Sequence, residues 1–125
     1  EWNGDVYSCD HFVFPQYKLG NITRQSISNL MRSQRQLTFG QNKRDKLPGQ
    51  CRACDYLFAC NGECPKNRFA RTADGEPGLN YLCAGYHRFF AHVAPYMDWM
   101  KHELLNKRPP AGIVDMLREN PKFGQ

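Results

Sequence analysis

The segment Cys51-Arg52-Ala53-Cys54-Asp55-Tyr56-Leu57-Phe58-Ala59-Cys60-Asn61-Gly62-Glu63-Cys64 holds four cysteines at the spacing C-x2-C-x5-C-x3-C. A C-x2-C turn can direct two thiolates at one metal, and the following loop can return a third from the other side. Thiolates packed this densely suit a soft metal or an iron–sulfur cluster. Gly62 and Pro65 bracket Cys64, so the loop turns sharply there and can present that cysteine elsewhere. With Cys9 and Cys83 the chain carries 6 cysteines. That is more than one four-ligand centre uses and fewer than two need.

The rest of the composition narrows what surrounds these thiolates. A chain of 125 residues, 41% hydrophobic and 23% charged, has the makeup of one globular domain rather than a disordered tail. No apolar run approaches the ~20 residues of a membrane span, and no signal-like segment is present. A cytoplasmic location without a membrane partner is therefore expected. The first residue is Glu1 rather than methionine, which suggests a fragment or a processed product. Six cysteines in a secreted chain would read as a disulfide framework, but a chain with this many apolar positions does not need one. The net charge of +5 spreads along the chain, with local clusters at Lys43-Arg44-Asp45-Lys46 and at Lys66-Asn67-Arg68-Phe69-Ala70-Arg71. Basic clusters beside aromatics can bind nucleic acid. Solvated loops flanking a thiolate centre, whose negative charge they would stabilise, are the simpler reading. Nucleic acid ranks last among the partners.

Asn3-Gly4 is a hairpin-turn signal leading into a strand at 5–9, whose partner is expected upstream of residue 1. Phe12-Val13-Phe14 is β-prone up to Pro15, and Lys18–Ile22 is a second extended piece. Ser26 can cap a short helix carrying Ile27, Leu30 and Met31 on one face. Irregular or briefly helical chain is expected to Gly40, followed by polar loops over 41–50 and 70–80. Leu82, Tyr86, Phe89, Phe90 and Val93 form a helical stripe. Pro95 should break or kink that helix, with Met97, Met100 and Leu104 continuing on a second segment. Ile113, Val114 and Leu117 give the face of a last short helix. The expected fold class is α+β: a small β-hairpin remnant, Cys-rich metal-binding loops and C-terminal helices. Residues 1–107 would form the cysteine-bearing domain, and 108–125 a short helix and tail.

Gly4-x4-Cys9, the C-x2-C-x5-C-x3-C run and Cys83 together resemble the SPASM extension of radical S-adenosylmethionine enzymes. The stretches Asn3–Asp10, Phe39-Gly40, Leu57–Cys60 and Gly75–Cys83 are similar to anaerobic sulfatase-maturating enzymes within that family. The resemblance covers most of the chain. It implies two auxiliary [4Fe–4S] clusters, one held by Cys51, Cys54, Cys60 and Cys83. Cys9 and Cys64 would supply two ligands of the other, whose remaining cysteines would lie upstream. Asp10 occupies the place of the family's proposed base, which deprotonates the substrate thiol or hydroxyl. The implied reaction oxidises a cysteine or serine of a sulfatase polypeptide to Cα-formylglycine. The C-x3-C-x2-C motif that would bind S-adenosylmethionine is not in this sequence. The chain thus reads as the C-terminal part of such an enzyme, with the radical domain as its partner, and is expected to be inactive alone.

Each signal has a plainer reading. Four cysteines also satisfy a tetrahedral Zn²⁺ site, particularly in an isolated fragment, so a zinc-stabilised protein-interaction module or regulator is the alternative function. Cys9 and Cys64 can be inert thiols, and Asp10 a turn acid capping backbone N–H groups. His11, His87, His92 and His102 have no ligand spacing with the cysteines. The aromatic and methionine positions of the C-terminal helices are core by default.

Overall fold

At the N-terminus the Asn3-Gly4 turn closes on Glu1, with the Gly4 N–H donating to the Glu1 carbonyl at 3.0 Å. The chain then enters strand β1 (Asp5–Tyr7), which pairs antiparallel with β2 (Lys18–Asn21) in the register Asp5↔Asn21 and Val6↔Gly20. The partner strand thus lies downstream of the turn, not upstream of residue 1. A polar clasp selects this pairing: Lys18 Nζ lies 2.6 Å from Asp5 Oδ2, and Asn21 Nδ2 donates to Asp5 Oδ1 at 3.0 Å. Phe12-Val13-Phe14 forms no strand. Pro15 opens a 3-10 turn, Pro15–Tyr17, and Phe12 is drawn instead into an aromatic trio with Tyr17 and Phe39 at centroid distances of 4.8, 5.3 and 5.8 Å.

The computed structural model describes residues 1–124, and the chain divides into two units, Glu1–Tyr81 and Leu82–Gln125. In the first, Ser26 caps helix α1 (Ile27–Met31) by accepting from the Asn29 N–H. Only Leu30 of the expected face is buried, at 2% exposure; Ile27 and Met31 stay open. Leu30 sits directly on β2: a Cβ built on Gly20 would meet Leu30 Cδ2 at 2.6 Å. Ser33 then caps α2 (Gln34–Asp45), a helix of 12 residues where short helix and loop were expected. Its polar, glutamine- and arginine-rich sequence has no apolar stripe, so only the cap and good helix formers mark it. The expected loop at 41–50 shrinks to the buried Leu47-Pro48 bend before α3 (Gly49–Arg52). Helix α4 (Leu57–Cys60) and a 3-10 turn at Pro65–Asn67 follow. The expected loop at 70–80 is a small hairpin, β3 (Ala70–Arg71) with β4 (Pro77–Leu79), closed by the Thr72 N–H donating to the Glu76 carbonyl at 2.9 Å.

The second unit is dominated by α5 (Cys83–Leu105), which runs for 23 residues straight through Pro95. The proline removes one N–H but does not end the helix, because the turns on either side retain their own bonds. Tyr86, Phe90 and Val93 are half-buried, whereas Leu82 and Phe89 of the expected stripe are exposed. Lys107 takes a left-handed φ of 57° at the helix end. A 3-10 turn (Pro110–Gly112) leads into α6 (Ile113–Glu119), which half-buries Ile113, Met116 and Leu117 and leaves Val114 open. Tyr96 donates through its hydroxyl to the Phe123 carbonyl at 3.2 Å, holding the tail. The whole is a mixture of helices and two small two-stranded sheets, as the α+β expectation has it. No described helix is long and apolar enough to cross a membrane.

Candidate metal centre

The turn after β1 delivers Cys9 and Asp10. Ser8, buried at 8% exposure, donates its N–H to the Tyr17 carbonyl at 3.0 Å, and the Phe12 N–H closes back on the Cys9 carbonyl at 3.0 Å. The aromatic trio packs this turn against α2. The Cys9 thiol donates to Asp10 Oδ1 at 3.2 Å, and His11 Nδ1 lies 3.2 Å from Cys64 Sγ. The Cys9 thiol, and after it the charge of His11, hold the Asp10 carboxyl below the usual aspartate value. Asp10 is well exposed, with 88% of its side-chain surface open. It is therefore a charged acceptor facing outward, able to reach a ligand but not strongly basic in this state.

The cysteine run is built on two short helices. Cys51 lies in α3, at 8% exposure, and Cys54 follows the helix end, its N–H donating to the Cys51 carbonyl. Glu76, from the turn of the β3–β4 hairpin, caps α3 from outside by accepting the Gly49 N–H at 2.7 Å. Carboxylate at a helix N-terminus is the favourable polarity. Cys54 Sγ accepts the Tyr56 N–H at 3.4 Å, an amide-to-sulfur bond of the kind that stabilises a thiolate. Cys60 ends α4, and the next three residues are all left-handed: Asn61 at φ 45°, Gly62 at 69° and Glu63 at 55°. This reversal carries the chain to Cys64. Gly62 is required on two counts, its φ and its surroundings, since a Cβ there would come within 2.3 Å of Leu47 Cδ2 and 3.2 Å of the Arg68 guanidinium.

Holding two non-glycine residues left-handed costs about 1–2 kcal/mol each, and the structure compensates with polar bonds. Arg68 donates four hydrogen bonds to backbone carbonyls: to Gly62 at 2.9 Å, Asn61 at 2.8 Å, Glu63 at 2.7 Å and, on α2, Lys43 at 2.6 Å. The Glu63 carboxylate accepts from Asn67 at 3.0 Å and from Asn80, itself only 3% exposed, at 2.8 Å. Burial works against the Glu63 charge, but these amide donors and the Cys64 N–H outweigh it and leave the carboxyl below its ordinary value.

Cys9, Asp10, Cys60 and Cys64 open onto one cavity of about 510 Å³, whose wall also carries the cations Lys43, Arg44 and Arg68 and the Glu63 carboxylate. The structure thus brings together Cys9 and Cys64, which lie far apart in sequence, and adds Cys60 to the same wall. Cys51 and Cys54 lie on the α3 side, and Cys83 opens α5 in the second unit. No disulfide joins the six cysteines. Among the described residues no three His, Cys, Asp or Glu side chains converge at metal-holding distance. The donor chemistry fits a thiolate-ligated cluster: sulfur donors, an amide N–H on one sulfur, and cations around a cavity. The ligands would still have to close around it. Sequence reasoning missed His11, because its contact with Cys64 spans 53 positions. It also placed Arg68 in a solvated basic run, where no periodicity or spacing marks the residue as half-buried.

Comparison with known proteins fits this geometry. Residues 1–55 match the model of SPASM, an iron–sulfur cluster-binding domain. A serine-type anaerobic sulfatase-maturating enzyme of Bacteroides thetaiotaomicron is 66% identical over 95% of this chain and 29% of its own length. A cysteine-type enzyme of Clostridium perfringens is 30% identical over 76% of this chain and 25% of its own. Among solved structures, native anSMEcpe with bound AdoMet and a peptide superposes with a TM-score of 0.63 at 30% identity, over 76% of this chain and 26% of that one. The chain thus spans under a third of the length of these relatives. By domain, sequence and fold the chain is a segment homologous to part of the SPASM-bearing anaerobic sulfatase-maturating enzymes.

Proposed function

We propose that the chain is the auxiliary-cluster segment of a radical S-adenosylmethionine enzyme that oxidises a residue of a sulfatase polypeptide to Cα-formylglycine. Cys51, Cys54 and Cys60 would hold one [4Fe–4S] cluster, with Cys83 completing the set by the sequence pattern. Cys9 and Cys64 would contribute two ligands to a second cluster, and the cluster-binding domain would run over residues 1–107. The 66% identity to a serine-type enzyme supports a seryl target. The radical domain and the S-adenosylmethionine site belong to parts of the enzyme outside this sequence.

The observation that carries the reading is the shared cavity, where Asp10 stands beside Cys9, Cys60 and Cys64 against a cationic wall. When bound, the clusters would supply one-electron acceptors. The positions of this chain's own residues support the following roles. Asp10, exposed and charged, accepts the proton of the target hydroxyl at a carboxylate oxygen. Lys43 and Arg68 balance the thiolate charge and attract an acidic or polar peptide segment. The aromatic trio fixes the Cys9–Asp10 turn to α2, so that base and thiolate keep their separation.

The test is anaerobic purification of the chain and of the full-length enzyme, with iron, zinc and acid-labile sulfide counted per chain. About four irons with matching sulfide in the chain are expected, and Cys51→Ala or Cys54→Ala in the full-length enzyme should abolish formylglycine formation. About one zinc without sulfide, with full-length activity indifferent to those substitutions, would favour the zinc-stabilised interaction module instead.

A further inference from the structure

Arg68 is a half-buried cation whose bonding goes beyond the charge balance assigned to it above. Its four N–H bonds all end on backbone carbonyls, three of them in the left-handed segment between Cys60 and Cys64. The fourth reaches the Lys43 carbonyl and ties that segment to α2. The guanidinium fork matches this set of acceptors; a lysine ammonium offers one point charge and no planar fork. Among the described residues no carboxylate forms an ion pair with Arg68, because Glu63 is engaged by Asn67 and Asn80. Its positive charge therefore has no contact ion pair and feels Glu63 only at longer range, in a partly desolvated place where fields are weakly screened.

The strongest anionic neighbours of that charge are sulfur atoms. Burial works to lower the Arg68 pKa, and Cys51, Cys64 and Cys60, in that order and followed by the Glu63 carboxylate, act against burial as negative groups. Under the reading above the three cysteines belong to two different ligand sets, Cys51 and Cys60 to one and Cys64 to the other. Arg68 also shares the cavity wall with Cys9, Cys60 and Cys64. A positive charge near the ligand sulfurs favours the reduced, more negative form of a cluster and so raises its reduction potential.

We propose that Arg68 is a positioning residue shared by both auxiliary centres: one guanidinium sets the Cys60–Cys64 separation and raises the reduction potential on either side of that loop. Two centres that share a cation shift together when it is lost. The inference rests on the two-cluster reading, and the experiment separates the two. A wild-type full-length enzyme without two auxiliary clusters refutes that reading, whereas the Arg68 role is judged only against a wild type that has both.

The experiment uses the full-length enzyme with Arg68→Met, Arg68→Lys and Lys43→Met, each assayed for iron and sulfide and titrated reductively under electron paramagnetic resonance. Arg68→Met should shift both auxiliary potentials negative. Arg68→Lys should recover much of that shift while holding less iron than wild type, because charge is kept and the carbonyl fork is lost. Lys43→Met, which removes an equal charge from the same cavity wall, should move the potentials less. Unmoved potentials in a fully loaded Arg68→Met enzyme overturn the proposal, as does an equal shift from Lys43→Met. Where Arg68→Met does not load, Arg68→Gln keeps a donor without the charge. Wild-type potentials in that variant overturn the proposal, and lowered ones support it. Failure of both uncharged variants beside a loaded Arg68→Lys supports it too. Failure of all three to load reduces Arg68 to a fold residue and overturns the shared-charge role.

Discussion

The two units reach order by opposite means. In Glu1–Tyr81 every secondary element is short, apart from α2, and the backbone is fixed where single atoms meet: Leu30 on Gly20, Leu47 on Gly62, Arg68 on four carbonyls. All the buried residues among those described lie there. Among its described residues the second unit buries none fully, and its order comes from the internal hydrogen bonds of one long helix with α6 and the tail laid along it. The contrast suits the chemistry. Thiolates in loops need their spacing set by contacts that tolerate no slack, whereas a helix that carries one cysteine at its first turn needs only to persist. Substitutions should therefore be costly in the first unit and cheap in the second.

The sharpest break is Gly62→Ala. The added methyl must occupy a left-handed position and would stand 2.3 Å from Leu47 Cδ2, so either the Asn61–Glu63 reversal or the Leu47 packing gives way. The sum of backbone strain and overpacking is about 3–4 kcal/mol. The expected outcome is a lowered urea midpoint together with loss of iron from the anaerobically purified chain. A variant that keeps both would show that the loop has slack after all. Leu30→Ala comes next: the side chain is 2% exposed, and truncation should cost about 3 kcal/mol. Its counterpart in the second unit is Phe89→Ala, where the side chain is 56% exposed and the change should fall within about 0.5 kcal/mol. Parallel urea titrations of the pair measure the contrast, and equal losses would erase it.

This division also decides what could be read in the sequence. The second unit follows periodicity, so its helices were legible, as was the role of Ser26 as a cap and of Lys18–Asn21 as a strand. Pro95 misled, because the rule that proline ends a helix assumes nothing else holds the turn together. In the first unit the cysteine spacing marked the site, but little of what positions it was legible. Helix α2 has no apolar stripe to reveal it. The β1–β2 pairing is chosen by the Asp5–Lys18–Asn21 clasp rather than by the Asn-Gly turn, and the Phe12 strand is lost to an aromatic trio with Tyr17 and Phe39. Arg68, Glu63 and Asn80 act through contacts between segments that no local pattern encodes. His11 meets Cys64 in the same way. Long-range polar contacts fixed by three-dimensional closure are what a linear reading lacks.

A smaller effect separates the units by pH. Arg108 grips Glu103 through two bonds of 2.6 Å at the end of α5. These bonds first, and then the Arg108 charge, hold the Glu103 carboxyl below its ordinary 4.5 against a weaker opposing effect of burial. Its proton affinity is thus lower folded than unfolded. The stabilisation is complete above the unfolded value and is lost as pH falls through the folded one. Glu63 in the first unit is also held low, so acid acts on both units. The difference between wild type and Glu103→Gln isolates the second. Far-UV circular dichroism should show the wild-type helix signal falling below about pH 4.5 relative to its neutral value, and a flatter curve in the variant. Identical curves would mean that the pair contributes nothing to α5.

The smallest effect has the opposite sign. Gly85 lies in the first turn of α5, and a Cβ built there meets nothing within 4 Å. Gly85→Ala removes backbone freedom from the unfolded chain and adds a better helix former to an exposed position, so it should stabilise by about 0.5–1 kcal/mol. Set beside Gly62→Ala, the same chemical change then runs in opposite directions in the two units, and urea midpoints shifted to either side of wild type are the expected pair. A destabilised Gly85→Ala would show that the start of α5, two residues after Cys83, is as closely packed as the cysteine loop. The second unit would then be fixed by contact at the one point where it carries a thiolate, and the contrast would lie between thiolate-bearing segments and the rest rather than between the two units.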